Sequence, residues 1–400
     1  MNPDVVIVGA GIVGSSIALE LARRGLQVLV VEKEAVGGGS TGASSACIRQ
    51  GYGREEAIRL ARDGLKAWER WREHAEIPVG TPAARFRRTG AFYLMSDPEK
   101  LRAQAARMRS CGVPIEEWSR ADAAARYPAW DLTGIAGAIF EPEGGYVDQP
   151  DLAAKNAMDA ARARGASLHI DRVTGIERTG SRVAGVALAR AGRVSCGCVI
   201  NAAGPWSFLI NRMAGVSVPL RPLRHRTILV PLGEPAPRDI PMVADLPGRI
   251  YFRSEPTQGG VLVGSLDEER DGEPIGDPDA LDPRVDGAFY AEKNLAVAKR
   301  MPESVRFPSW VRGIAGAYDV HEPDWYPVFS RSEVDGYYLA VGTSGAWFKG
   351  GPSIGALMAH LVCESFRPFR FPRTGDECDP AFFRWDRPPI TTSFAGGVIG

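Results

Sequence analysis

Apolar residues along the chain follow two periods, and the alternation between them predicts its elements. Val5–Val8 and Val28–Val31 are short, unbroken apolar runs, each expected to be a buried strand. Between them Ile17, Leu21 and Ala22 recur at helical spacing. Helical patterns return at Glu55–Glu73, Glu99–Arg109, Leu152–Arg164, Gly287–Arg300 and Ile354–Cys363, with Asp151 read as the N-cap of the third. Strand patterns are read at Thr89–Met95, Ala136–Phe140, Ser167–Glu177, Val183–Ala189, Arg193–Ile200, Thr227–Val230, Ile250–Arg253, Val261–Gly264 and Tyr337–Val341. The tail from Arg367 is rich in Arg, Pro and Phe without a period, and reads as an irregular strap over the surface.

Gly9-Ala10-Gly11-Ile12-Val13-Gly14 joins the first strand to the first helix, and the second strand ends on Glu32. Each part has a use in a dinucleotide site. Gly9 permits the tight turn, Gly11 lets a pyrophosphate approach the backbone, and Gly14 lets helix and strand pack closely. The helix N-terminus offers N–H donors and a positive dipole end. Glu32 can accept hydrogen bonds from a ribose, and its charge disfavours a 2′-phosphate. A lone glycine triplet would mean little; here strand, helix, second strand and acid stand in register. The small-residue stretch Gly37–Gly53 also suits close backbone approach to a ligand.

The order of elements predicts an α/β fold with an α+β second domain. A Rossmann-like nucleotide unit takes residues 1–85, 146–215 and 335–366. An inserted antiparallel-sheet substrate domain takes 86–145 and 216–334, and a tail 367–400. Equal numbers of acids and bases give no electrostatic reason to expect nucleic acid as a partner. No apolar run approaches the roughly 18 residues of a membrane span. The first strand begins close to the N-terminus, leaving no room for a signal peptide, so a cytoplasmic location is expected. Cys196 and Cys198 sit two apart on a strand-like stretch and would share a face, but no second pair accompanies them and no metal is expected.

Five blocks in order resemble the flavin amine oxidoreductases, among them sarcosine oxidase, glycine oxidase, dimethylglycine dehydrogenase and D-amino-acid oxidase. They are VVIVGAGIVGSSIALELARRG, GGGSTGASSACIRQGYG, VINAAGPWS, GIAGAYDVHEPDWYPVF and YYLAVGTSGAWFKGGPSIG. The last two are the more specific. The resemblance implies FAD rather than NAD, bound in a Rossmann-like domain of glutathione-reductase type. Its adenosine would lie by Glu32, Lys33 and Val173. Its diphosphate would rest on Gly11, Ile12, Val13, Ser15 and the loop through Ser40, Thr41, Ser44 and Ser45. Ala203 and Gly204 would approach it from a strand end, and the turn carrying Gly345, Ala346, Trp347, Phe348 and Lys349 would wrap the flavin. The helix near Pro352 would aim its positive end at the flavin N1–C2=O edge. Some members bind flavin through a Cys beside the Tyr of the Pro-Asp block; here that segment is Gly316-Ala317-Tyr318, so FAD is expected to be non-covalent.

The resemblance also supplies a substrate site. Arg49 and Lys349 match the pair that holds a substrate carboxylate, and a guanidinium can grip a carboxylate with two parallel hydrogen bonds. His225 and Tyr251 match positions that would orient an amine or help remove its proton. Read without the resemblance, Arg49 could be a solvated loop residue, and His225 and Tyr251 ordinary structural residues. The implied reaction oxidises the C–N bond of a small amino acid or N-substituted amino acid by hydride transfer to flavin N5, giving an imine that water hydrolyses. Alternatives are a 2-hydroxy-acid or polyol-phosphate dehydrogenase, and a non-catalytic FAD-binding subunit or assembly factor. The electron acceptor would be oxygen or another carrier, with a homo-oligomer or heteromeric complex as a possible assembly. Leu262 stands where oxygen-activating relatives place a Lys, which weakens the case for an oxidase.

Overall fold

A computed structural model describes residues 2–234, 240–364 and 367–392, apart from the side chains of Glu268 and Glu269. Residues 365–366 and 393–400, which close the third nucleotide-unit segment and the tail, lie outside the described residues.

The apolar runs build a six-stranded sheet in the order Val328–Arg331, Tyr337–Val341, Val199–Asn201, Val5–Val8, Val28–Glu32 and Ser167–Ile170. All neighbours are parallel except the first two. Both faces of its central strands are covered, which is why they read as continuous rather than alternating apolar sequence. On one face the helix Ile12–Arg23 packs against both Pro150–Ala163 and Gly351–Glu364. On the other, Val6, Val8, Leu29 and Val31 meet Val173, Ile176, Val183 and Val186 of a three-stranded antiparallel sheet.

A second sheet of nine strands gathers segments from 91–141 and 220–321. Its spine is the long strand Leu220–Pro231, paired antiparallel with Gly260–Ser265 on one side and with Gly313–His321 on the other. One junction departs from the expected antiparallel sheet, because Met242–Asp245 runs parallel to Ala91–Met95. Phe92, Trp130, Phe252, Val263 and Val297 fill the core beneath the helix Gly287–Arg300. The whole is a mixed α/β architecture in which the edge strand Val328–Arg331 of the first sheet comes from the stretch read as the second unit.

Several boundaries differ from expectation for local reasons. Asp151 is not the N-cap; that place belongs to Gln149, in the left-handed region at φ 51°, with Pro150 opening the helix and Asp151 in its first turn. The Glu55–Glu73 helix breaks at Arg70 into Glu55–Glu69 and Trp71–His74. Ser167–Glu177 is two strands in two sheets, turned at Asp171, whose carboxylate accepts from the N–H groups of Arg172, Arg190 and Ala191. Arg193–Ile200 also splits, so Cys196 packs with one core and Cys198 against another rather than sharing a face. The tail is no mere surface strap: Phe371 and Phe383 are fully buried, and Arg373 donates to the buried carboxylate of Asp63.

Candidate functional site

A cavity of about 310 Å³ opens at the carboxyl ends of the parallel strands, facing the nine-stranded sheet. Every residue singled out above for catalysis or cofactor binding lines it, except Gly14, Ser15 and Pro352. Gly14 packs instead: a Cβ there would lie 2.0 Å from the carbonyl oxygen of Gly9. Ser15 is fully buried behind the cavity wall, and its hydroxyl donates to Ala10 O at 3.2 Å. Gly9 takes φ +103°, and a Cβ on it would sit 2.5 Å from Ala202 O.

The helix Ile12–Arg23 presents its N-terminus to the cavity with no capping side chain from Gly11 and no acid in its first turn, leaving the positive end to an anion. Thr41 Oγ1 accepts from Ile12 N at 3.1 Å, and Ser40 Oγ donates to Ala317 O at 2.5 Å, so the small-residue loop closes over this end. Glu32 accepts from Ala10 N at 2.8 Å and Glu34 N at 3.1 Å, which fixes its carboxylate at the cavity wall beside Lys33 and Val173. Ala203 and Gly204, just past the strand Val199–Asn201, complete that wall. Open glycine backbone, a helix N-terminus facing the cavity and a fixed acid at a strand end suit an adenine dinucleotide of FAD type.

At the other end stand Arg49 and Lys349. Arg49 follows the two-residue strand Cys47–Ile48 and is 3% exposed; its guanidinium donates to Gly51 O and lies 4.4 Å from the Tyr52 ring centre. Lys349 is 4% exposed, and its ammonium donates to Tyr52 Oη at 3.1 Å and to Ala346 O. Two buried basic groups share this corner. Burial, then repulsion from Arg49, holds the Lys349 pKa well below the usual lysine range. For Arg49 burial opposes the charge too, but Tyr52, Tyr93 and Glu141 outweigh it and keep the guanidinium ionised.

The loop that carries Arg49 is pinned from behind. Glu141, fully buried, accepts from Gln50 N at 3.0 Å, Gln50 Nε2 at 2.9 Å and Tyr93 Oη at 2.9 Å, while Tyr93 Oη accepts from Gly51 N at 3.0 Å. Tyr52 stacks on Trp347 with ring centres 4.7 Å apart and donates to Ala346 O, joining the two cationic segments. The sequence reading missed Tyr52, Tyr93 and Glu141; only the nearness of Tyr52 to Arg49 hinted at one of them.

His225 and Tyr251 come from neighbouring parts of the nine-stranded sheet. His225 stacks on Tyr318 with centres 4.4 Å apart, its Nε2 lies 3.3 Å from Ser265 O, and burial pushes its pKa down to about 4, so it is neutral near pH 7. Tyr251 Oη accepts from Ser45 Oγ at 3.3 Å, and burial raises its pKa. Tyr318, also missed, lines the cavity with them, whereas Leu262 does not.

This arrangement joins a nucleotide cradle to a corner that carries two buried basic side chains. The family model "FAD dependent oxidoreductase" (DAO) matches residues 4–361. The chain is 25% identical over 382 residues to the mitochondrial pyruvate dehydrogenase phosphatase regulatory subunit of Mus musculus, covering 90% of this chain and 41% of that protein. It is 25% identical over 379 residues to mitochondrial sarcosine dehydrogenase of Homo sapiens, covering 90% of this chain and 39% of that one. The chain thus spans less than half the length of either. The structure of L-proline dehydrogenase from P. horikoshii superposes with a TM-score of 0.77 at 27% identity, covering 91% of this chain and 94% of that one. With nucleotide cradle, fold and family model in agreement over most of its length, the chain belongs to the DAO family of FAD-dependent oxidoreductases.

Proposed function

We propose that the protein oxidises the C–N bond of a small α-amino acid or N-substituted amino acid. The observation that carries this reading is the pair Arg49 and Lys349, both nearly buried, at the far end of the cavity that holds the nucleotide cradle. Bound FAD would supply the two-electron acceptor, held by Gly9, Gly11, Thr41, Glu32 and the turn Gly345–Lys349.

The chain's own groups then divide the work. Arg49 grips the carboxylate, its plane fixed by Gly51 O and the Tyr52 ring. A carboxylate between the two cations favours the charged form of Lys349, so binding draws a proton onto that amine. His225 and Tyr251 are both uncharged near neutral pH; they orient the substrate nitrogen and are poor bases for an ammonium. The amine therefore binds neutral, and kcat/KM rises with pH towards the substrate amine's own pKa. Met242 and Leu266 give the cavity apolar wall for a small side chain or N-substituent.

The flavin is proposed to be non-covalent, since Gly316-Ala317-Tyr318 lines the cavity without a thiol. Acid denaturation should put all yellow colour in the supernatant; colour retained in the pellet would refute this and direct attention to Cys47, which lines the cavity too. The substrate reading is tested by anaerobic exposure of the yellow protein to sarcosine, glycine, proline and dimethylglycine, with 2-hydroxy acids alongside. Bleaching by amino acids alone supports it. Bleaching by hydroxy acids, or by nothing in a broad amine panel, overturns it.

A further inference from the structure

Asp279 lies outside the cavity lining, yet it ties together three side chains that form the wall around Glu32. Its Oδ1 accepts from Lys33 Nζ at 2.5 Å and from Trp206 Nε1 at 2.9 Å, and its Oδ2 accepts from Arg172 NH1 at 2.7 Å. Lys33 also sits 3.7 Å from the Trp206 ring centre. Those three residues follow different strands of the six-stranded sheet: Lys33 follows Val28–Glu32, Arg172 follows Ser167–Ile170, and Trp206 follows Val199–Asn201. Asp279 arrives from elsewhere, on the 3-10 turn Pro278–Ala280 beyond the edge strand Glu273–Pro274 of the other sheet. Asp277 fixes that turn by accepting from Asp279 N at 2.9 Å. Burial of Asp279 is slight, and the hydrogen bonds from Lys33 and Arg172 outweigh it, holding its carboxyl down at about 2.

We propose that Asp279 is a positioning residue that clasps the adenosine end of the site and slows the loss of FAD. The clasp joins a margin of one sheet to three walls built by the other, so the adenosine leaves only when these ion pairs open. The proposal rests on the reading that Glu32 marks the adenosine end, and its test reads cofactor release alone, independently of which substrate is oxidised.

The experiment follows the rise of free-FAD fluorescence after dilution of the holoenzyme, across a salt series. Two partly exposed ion pairs and one neutral hydrogen bond correspond to release about fivefold faster for Asp279→Ala at low salt. Release from the native protein should quicken with salt towards the variant's rate, while the variant responds less. Asp282→Ala on the same loop, where the acid pairs with Arg284 rather than with Lys33, Arg172 or Trp206, should release FAD at the native rate. Lys33→Gln serves as a second variant should Asp279→Ala purify without flavin. Combined with Arg172→Met, Asp279→Ala should add less than the sum of the two effects. Native release rates in Asp279→Ala and Lys33→Gln, equal salt dependence, or additivity in the cycle would each overturn the clasp.

Discussion

Replacing Arg49 by Ala removes the buried guanidinium proposed to hold the substrate carboxylate. Losing one partner of a buried charge pair costs about 2–4 kcal/mol of ligand binding. The structure places the loss in the lower half of that range. Arg49 is one of the two causes of the depressed Lys349 pKa, so its removal lets Lys349 hold its proton and recover part of the attraction. An expected loss of about 2–3 kcal/mol corresponds to Kd weaker by about 30-fold to 150-fold. The assay is a titration of the flavin absorbance band with a small amino acid and, in parallel, with the matching amine that lacks the carboxylate. The amino acid should weaken by that factor, the bare amine should hardly change, and flavin content should stay normal. Equal losses for both ligands would show that Arg49 supports the loop rather than the carboxylate. An unchanged Kd would remove it from the site.

Lys349→Met should weaken carboxylate binding yet raise Tm. A lysine with a depressed folded pKa binds fewer protons folded than unfolded, so its contribution to stability rises with pH between its folded and ordinary values, and below both its charge is a cost. In the native protein the carboxylate Kd should weaken as pH rises through the folded Lys349 pKa; a Kd profile with the same slope in Lys349→Met would contradict this. Tyr93→Phe leaves Gly51 N without its partner and takes a donor from Glu141, so Tm should fall by an amount matching about 1–3 kcal/mol, with carboxylate binding weakened too. Full stability by calorimetry would show the network idle. Gly9→Ala sets a Cβ 2.5 Å from Ala202 O at φ +103°, and should yield protein that is destabilised and colourless; a yellow, stable variant would show that the cradle tolerates a side chain.

The nucleotide cradle was legible because its signals are local: glycines, helix and terminal acid lie within one short stretch, and each residue's chemistry follows from its neighbours. What supports Arg49 was not legible. Glu141 lies 91 residues from Gln50, and Tyr93 lies 42 residues from Gly51; they meet only through the pairing of Ala91–Met95 with Gly137–Glu141. The strand Arg85–Arg88 carries no apolar pattern, since its side chains stay largely exposed while its backbone pairs with Gly145–Asp148. The Gln149 cap escaped because a positive φ at a non-glycine residue leaves no mark in sequence, whereas Asp151 mimicked the usual capping chemistry. Asp279 escaped for the same reason as Glu141: its partners lie 246, 107 and 73 residues away.

One cavity is proposed to do two jobs, holding the cofactor at the glycines and the substrate carboxylate at Arg49 and Lys349. The most direct measurement is a crystal structure of the FAD-loaded protein with a small amino-acid inhibitor bound. The inhibitor's carboxylate should lie within hydrogen-bond reach of both the Arg49 guanidinium and Lys349 Nζ, with the flavin ring beside the turn Gly345–Lys349. A carboxylate held elsewhere, out of reach of both Arg49 and Lys349, would contradict it.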